Sequence, residues 1–329
     1  MVLFLIRRTL YATLLVFITI TATFFILRFA PGDPLNRYFS PDIDPRVMVS
    51  VRDQLGLDRP LPVQYIQWVW SFVRGDFGVS ISEHRPVSAM LWEAIPRTLQ
   101  LTVLALIIEV ILGLALGMLA AARRYSLRDK ALSFSFLILY SVPTFYLAYL
   151  LITFFSLKFQ FLPSSGMSSI HALPTGLLSQ AGDRLTHLIL PVFVLGFGSA
   201  AGLARYMRGS VLDAIGQEYI RTARAKGLDE KRVFWLHAFK NALPPVLTVV
   251  GLSFPFLLGG SVIVEKVFAW PGMGSLMVDS IFARDYPVVL AANFIGACMV
   301  IAGNLLADVA CALADPRIKL AYMGDRRDQ

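Results

Sequence analysis

The chain has 329 residues, of which 56% are hydrophobic and 16% are charged, and its mean hydropathy is +0.64. About a quarter of the residues in a soluble domain are charged, so this composition excludes an ordinary soluble protein and predicts an integral membrane protein. The net charge of +8 therefore belongs to loops, and no basic patch interleaved with aromatic residues indicates nucleic-acid binding. With Cys298 and Cys311 as the sole cysteines, neither a disulfide framework nor a cysteine metal site is predicted.

Six stretches are nearly free of charge and reach the roughly 20 residues that a membrane-spanning helix requires. They cover residues 9–30, 98–122, 131–157, 186–204, 245–264 and 287–307. The sequence therefore predicts an all-α integral membrane protein with six transmembrane helices in one domain over residues 1–329. The third stretch is longer than a span needs, and we expect it to kink at Pro143.

Basic residues near the ends of the predicted helices are concentrated on one side of the membrane. The clusters lie within residues 7–8, 123–130, 205–240 and 317–327. Cytoplasmic loops carry an excess of Lys and Arg, so both termini and the loop 205–244 are predicted to be cytoplasmic. The loop 31–97, in which acidic and basic residues balance, is then external.

The external loop 31–97 is far longer than a simple connection requires, so we expect it to fold over the outer mouth of the protein. Residues 52–57, followed by Pro60, predict a helix that ends at Gly56. Residues 63–70 predict a second, amphipathic helix. A helix in the membrane interface and a docking surface for an external partner are both compatible with that pattern.

Motifs for chemistry are missing from the sequence. There is no Gly-x-x-x-x-Gly-Lys-Ser/Thr stretch for binding nucleotide phosphates, no His-Glu-x-x-His pair and no Gly-x-Ser-x-Gly elbow. We therefore expect no catalytic residue, no metal site and no cofactor bound by this chain, and the energy for any transport must come from elsewhere.

The cytoplasmic loop 205–244 contains the most specific pattern. Tyr219, Ala223 and Gly227 recur every fourth residue, which on a helix places them on one stripe. The cations of this segment are predicted to point elsewhere: Arg221, Arg224 and Lys226. A short helix parallel to the membrane, with a small-residue face, suits a groove on a cytosolic subunit. The alternative is a basic loop held to lipid headgroups.

These residues resemble the membrane permease subunits of ABC importers in the dipeptide, oligopeptide and nickel group. The general signature of those permeases is Glu-Ala-Ala, three residues, Gly, and a later Leu-Pro. Here Arg221-Thr222 replaces the first two positions, Ala223 and Gly227 keep the pattern, and Pro244-Pro245 stands for Leu-Pro at a longer spacing. The peptide and nickel group is similar in these departures.

The resemblance extends over nearly the whole chain, because further short motifs of that group occur in matching order and spacing. They are Pro31-Gly32-Asp33-Pro34, Leu55-Gly56-Leu57-Asp58, Gly75-Asp76-Phe77-Gly78, Phe268-Ala269-Trp270-Pro271-Gly272-Met273-Gly274, Arg284-Asp285-Tyr286-Pro287 and Asp315-Pro316-Arg317.

The resemblance implies the type I ABC importer permease fold and a multi-pass location in the bacterial inner membrane. It implies three kinds of partner besides membrane lipid: a second homologous permease, expected to be a different chain, two cytosolic ABC ATPase subunits and an external solute-binding protein. ATP and Mg would be bound by the ATPases. Carried over to this sequence, the residues that couple to the ATPase are Glu218, Tyr219, Arg221, Thr222, Ala223, Arg224, Lys226, Gly227 and Leu228. Short peptides are the leading cargo, with nickel or metal chelates as the alternative.

Two polar residues of the predicted spans are candidates for the translocation path. Glu109 stands alone in the second span, and an intramembrane carboxylate is by default a functional-site hypothesis. It lines the path, meets a cation of a partner, or is buried against Asn304 or a hydroxyl. A secondary transporter driven by protons through Glu109 is the alternative from a different functional class.

Gly113 and Gly117 have the small-x-x-x-small spacing of tight helix packing.

Overall fold

The computed structural model describes residues 2–29, 59–169 and 176–314. The predicted helix that ends at Gly56 lies outside these residues. The regular elements in the described part are helices: α1 (Val2–Phe29), α2 (Leu61–Val73), α3 (Val87–Ala122), α4 (Leu127–Ser141), α5 (Thr144–Leu151), α6 (Leu177–Ile215), α7 (Glu218–Ala225), α8 (Glu230–Arg232), α9 (Lys240–Val267), α10 (Met273–Ala283) and α11 (Tyr286–Ala314). The π-helical segments Ile152–Lys158 and Val233–Phe239 continue α5 and join α8 to α9.

In the described part of the chain, five helices are long and apolar enough to cross a membrane, or six if one bent pair forms a single span. The bent pair joins α4 to the segment Thr144–Lys158 at an angle of 100°. Val142 is extended at the bend, with ψ 124°, because a residue that precedes proline is disfavoured in the helical region. The predicted kink at Pro143 is therefore confirmed.

The helices continue beyond the predicted spans. α3 begins 11 residues before the predicted start at residue 98, and α6 has 39 residues, about 58 Å of helix rise. The hydrocarbon core of a bilayer is about 30 Å thick, so turns of α6 extend outside it. The charge-poor stretches are thus the central parts of longer helices, whose polar turns at the ends are also helical.

One compact unit consists of Met1–Pro96 and Gly272–Cys298. Its core contains α1, α2 and the first part of α11, with Phe24, Phe72 and Val288 all buried. α2 confirms the predicted amphipathic helix at residues 63–70. Asp285 is buried, and its carboxylate accepts a hydrogen bond from Ser80 in the segment that follows α2.

The second unit consists of Arg97–Pro271 and Met299–Gln329. α3 and α6 approach each other closely at Gly113 and Gly117. A Cβ added at Gly113 would lie 2.7 Å from Leu203 Cδ2, and one added at Gly117 would lie 2.6 Å from the Ala204 carbonyl oxygen. Only a residue without a Cβ permits this separation, which confirms the predicted tight packing.

Candidate functional site

The inner face of α7 is anchored in the protein's own core. Ile220 is fully buried and Ala223 is 5% exposed, and both belong to an apolar cluster that includes Val211 of α6 and Val233. Leu228, after the helix, packs against the same cluster. α7 is therefore a short surface helix that is held firmly to the elements on either side of it.

The predicted stripe of Tyr219, Ala223 and Gly227 is wrong in two respects. The Ala223 side chain faces the core, because Ile220 and Ala223 form the buried i, i+3 pair of this helix. Gly227 lies after the last helical residue, with φ +75°. The small residues thus serve the attachment and the termination of α7, and the surface that α7 presents consists of other side chains.

Gly227 terminates α7 in a Schellman motif. The Gly227 N–H donates to the Arg224 carbonyl at 2.9 Å, and the Leu228 N–H donates to the Ala223 carbonyl at 3.4 Å. This arrangement requires a left-handed residue, and glycine adopts that conformation without a steric penalty. The turn at Gly227 returns Leu228 to the apolar core, so the same glycine ends the helix and fixes its far end.

The outward face of α7 is polar and charged. Arg221 pairs with Glu218 at 2.8 Å, with both side chains mostly exposed. Arg224 donates two hydrogen bonds to Glu230, from Nε at 2.7 Å and from Nη2 at 3.1 Å. These hydrogen bonds raise the pKa of Arg224 above its usual value, so the guanidinium stays charged. Tyr219 is 40% exposed, and its partial burial raises the pKa of its phenol.

The exposed members of the predicted coupling set share this surface: Glu218, Tyr219, Arg221, Thr222, Arg224, Lys226 and Gly227. Ala223 and Leu228 lie beneath it. Such a surface offers hydrogen-bond donors, charges and one aromatic ring, so it is suited to recognising another molecule.

α7 is joined closely to two long helices. Before it, the Gly216 N–H donates to Leu212 at 3.3 Å and the Gln217 N–H donates to Ala214 at 3.1 Å, so the chain turns directly out of α6. After it, Asp229 caps α8, which continues through the π-helical segment into α9. α7 is therefore connected to α6 and α9 by short, hydrogen-bonded segments.

Within the predicted spans, Glu109 is 2% exposed and its Oε1 accepts a hydrogen bond from Ser253 Oγ at 2.7 Å. The predicted alternative of a hydroxyl partner is thus the one observed, rather than Asn304. Glu109 Oε2 is buried and has no hydrogen-bond partner among the described residues. Asn304 lies on α11 and is partly buried.

Two protein-family models match this chain and identify the kind of protein to which this surface belongs. Residues 113–320 match the family model described as the inner membrane component of binding-protein-dependent transport systems. Residues 1–102 match the model of the N-terminal part of the same membrane component. The chain belongs to this family. It is a membrane permease subunit of an ABC importer, not an enzyme, and it is a multi-pass protein of the bacterial inner membrane.

Curated relatives match the permease over almost its entire length. The oligopeptide transport system permease protein AppB of Bacillus subtilis is 42% identical over 318 residues, which is 96% of this chain and 99% of AppB. The glutathione transport system permease protein GsiC of Escherichia coli is 39% identical over 317 residues, 96% of this chain and 98% of GsiC.

Solved structures show the fold. The MetNI methionine ABC transporter in an inward-facing conformation matches with a TM-score of 0.54 and 19% identity, covering 70% of this chain and 98% of that one. An amino acid ABC transporter with histidines matches with a TM-score of 0.51 and 18% identity, covering 68% of this chain and 94% of that one. The predicted type I importer permease fold is confirmed.

The structure also contains buried polar groups of the permease that were not predicted from the sequence. Asp129 is 2% exposed and pairs with Arg208, and Thr98 Oγ1 donates to the fully buried Glu265 at 2.7 Å. In the other unit, Asp285 Oδ2 accepts from Ser80 Oγ at 2.5 Å. Each pair joins residues distant in sequence, so periodicity along one helix gives no sign of it. The Arg284-Asp285-Tyr286-Pro287 motif was the available signal for Asp285.

Proposed function

We propose that this chain is the permease subunit of an ABC importer that carries short peptides across the bacterial inner membrane. The observation that carries the proposal is the match to AppB and GsiC over 96% of the chain, since those relatives are named for the transport of oligopeptides and of glutathione. A nickel or metal chelate is the alternative cargo. The two cargoes are distinguished by measuring whether the cognate external binding protein binds short peptides or metal chelates.

The partners proposed for the permease follow from the same assignment. A second homologous permease, a different chain, completes the pathway, and the whole of 1–329 acts as one permease domain within it. Two cytosolic ABC ATPases bind ATP and Mg, and an external binding protein delivers the cargo. Both termini and α7 face the cytoplasm, because the basic clusters of the sequence lie on that side.

α7 is proposed as the helix that docks on the ATPase. Three features support this role: the exposed charged face, the attachment of Ile220 and Ala223 to the core, and the short connections to α6 and α9. Because the inner face of α7 is packed in the core and cannot slide independently of it, a force on the exposed face is transmitted to the core. Alternating access then requires that ATP and the loaded binding protein favour one state of the permease over the other.

Site-specific photo-crosslinking tests the docking role. A photoreactive residue replaces Thr222, which is exposed on α7, and a matched variant carries it at Val79, which is 54% exposed in the loop proposed to be external. We expect Thr222 to cross-link to an ATPase subunit in the intact complex and Val79 not to do so. Cross-linking of Thr222 to lipid alone would instead support the basic-loop alternative.

A further inference from the structure

α2 carries an exposed apolar stripe along its whole length. Its members are Val63, 40% exposed, Ile66, 66% exposed, Trp70, 58% exposed, and Val73, 76% exposed. The spacings of three, four and three residues place these side chains on one face of the helix. Water does not accommodate so many neighbouring apolar side chains without cost, so the stripe is expected to have an apolar partner.

Other side chains of α2 attach it to α1. Tyr65 hydrogen-bonds through its hydroxyl to Thr21 Oγ1 at 2.7 Å, and its ring centroid lies 5.3 Å from that of Phe24. The Trp68 ring also lies 5.3 Å from the Phe24 ring. These contacts attach α2 to α1, whose residues Thr9–Phe29 are long and apolar enough to cross a membrane.

These contacts place α2 beside the last turns of the α1 span, on the membrane side of its Arg28 end. Phe24 precedes Arg28, the charged residue at that end of α1, by four residues, which is about 6 Å of helix rise. Ile26 lies between them and is 68% exposed, so α1 presents an apolar side chain at this level that is available to lipid. The apolar face of an interfacial helix lies about 5–10 Å inside the headgroup boundary, which is the level of these contacts.

α2 contacts α1 through one turn of each helix and then continues towards α11. Trp68 is followed by Phe72, whose ring centroid lies 4.4 Å from that of Trp68 and 5.7 Å from that of Phe294. α2 therefore crosses α1. With 13 residues, or about 20 Å of rise, α2 is too short to span the bilayer itself.

The ends of α2 carry groups that suit a phospholipid headgroup region. Arg59 precedes the helix and donates to Gln67 Oε1 at 2.8 Å. Arg74 ends it, with its guanidinium carbon 4.4 Å from the centre of the Trp70 ring. No acidic residue occurs between Leu61 and Val73. Tryptophan and arginine side chains of this kind place an apolar body in the acyl region and a polar end among phosphates.

We propose that α2 is an interfacial helix whose stripe of Val63, Ile66, Trp70 and Val73 is embedded in the lipid around the Arg28 end of α1. Under the proposed topology this is the outer leaflet. The assignment does not depend on the cargo or on the ATPase contacts of α7. An external protein docked on the stripe is the competing occupant, and it predicts a stripe that is exposed to water until that protein binds.

Spin labels on the assembled importer test the assignment. Cysteine replaces Ile66 in one variant and Val79 in a matched control, in a background with Cys298→Ser and Cys311→Ser, and the complexes are placed in nanodiscs of phosphatidylethanolamine and phosphatidylglycerol. Collision with molecular oxygen reports lipid, and collision with a water-soluble nickel chelate reports water. We expect the label at Ile66 to favour oxygen strongly, at a depth of about 5–10 Å, and the label at Val79 to favour the nickel chelate.

Three results would overturn the proposal. In the first, the nickel chelate reaches the label at Ile66 as readily as the label at Val79. In the second, the nickel chelate reaches the label at Ile66 before the binding protein is added and not afterwards. In the third case, neither reagent would reach Ile66, which would indicate a protein neighbour such as the second permease. Because both positions are exposed in the structure, the labels leave the core packing unchanged. Peptide-stimulated ATPase activity of each complex verifies that it is intact.

Discussion

Arg208 of α6 holds Asp129 of α4 by two hydrogen bonds, from Nε to Oδ1 at 2.5 Å and from Nη2 to Oδ2 at 2.7 Å. Asp129 is 2% exposed and also accepts from the Tyr125 backbone N–H at 2.8 Å. The paired charges therefore fix the start of α4 against the long helix that leads to α7. A bidentate pair of this kind specifies orientation as well as separation.

We predict that Asp129→Asn destabilises the permease by about 1–3 kcal/mol, because it leaves the partly exposed Arg208 guanidinium without its counter-charge. The apparent melting temperature of the purified complex in detergent measures the effect. Glu218→Gln is the matched control, since it breaks the exposed pair with Arg221 and should change the melting temperature little. Equal effects of the two variants would contradict a structural role for the Asp129 pair.

The two alanines of α7 should respond differently to enlargement. Ala223 is buried and Ala225 is exposed on the same helix, so Ala223→Leu forces α7 away from the core whereas Ala225→Leu does not. We expect Ala223→Leu to lower the thermal stability of the permease by about 1–3 kcal/mol. Ala225→Leu should leave it unchanged. A normal melting temperature for Ala223→Leu would show that Ala223 faces outward.

Gly227 should tolerate asparagine better than alanine. Its Cβ position is open, with nothing within 4 Å, but its φ is +75°, so the cost of a side chain is backbone strain of about 1 kcal/mol. Asparagine visits the left-handed region more readily than alanine. We expect Gly227→Ala to weaken the coupling of ATP hydrolysis to peptide uptake in proteoliposomes, and Gly227→Asn to retain most of it. The opposite order would argue against termination of α7 as the role of this glycine.

Glu109 is predicted to act as a buried hydrogen-bond acceptor. Glu109→Gln keeps an oxygen for the Ser253 hydroxyl, so peptide uptake by the reconstituted importer should remain within about twofold of the unmodified complex. Glu109→Leu removes the acceptor and should lower stability by about 1 kcal/mol. A loss of uptake in Glu109→Gln, with the complex intact, would favour the proton-driven alternative.

The membrane spans and the kink at Pro143 could be predicted from the sequence because both follow from local composition. A charge-poor run of sufficient length suits a bilayer, and a proline constrains the residue before it. The ends of α3 and α6 could not be predicted in this way, because helical turns outside the membrane carry polar residues. The Asp129 and Arg208 pair is separated by 79 residues and depends on how α4 packs on α6.

The candidate coupling surface could be located from the sequence, but its orientation could not. Tyr219, Ala223 and Gly227 have helical spacing, and that spacing is the same whether a stripe faces a partner or the core. Ile220 beside Ala223 and Leu228 after Gly227 indicate the inner face once they are considered together. A glycine just after a short helix is also the common signal for a left-handed terminating residue, and this signal identifies the role of Gly227.

The most direct test of the account is transport by purified components in liposomes. One preparation contains the permease alone with an imposed proton gradient, and the other contains both permeases, both ATPases, the binding protein, ATP and Mg. We predict uptake of a labelled short peptide in the complete preparation only. Concentrative uptake by the isolated chain along the ion gradient would contradict the central claim that this permease is driven by its ATPase partners.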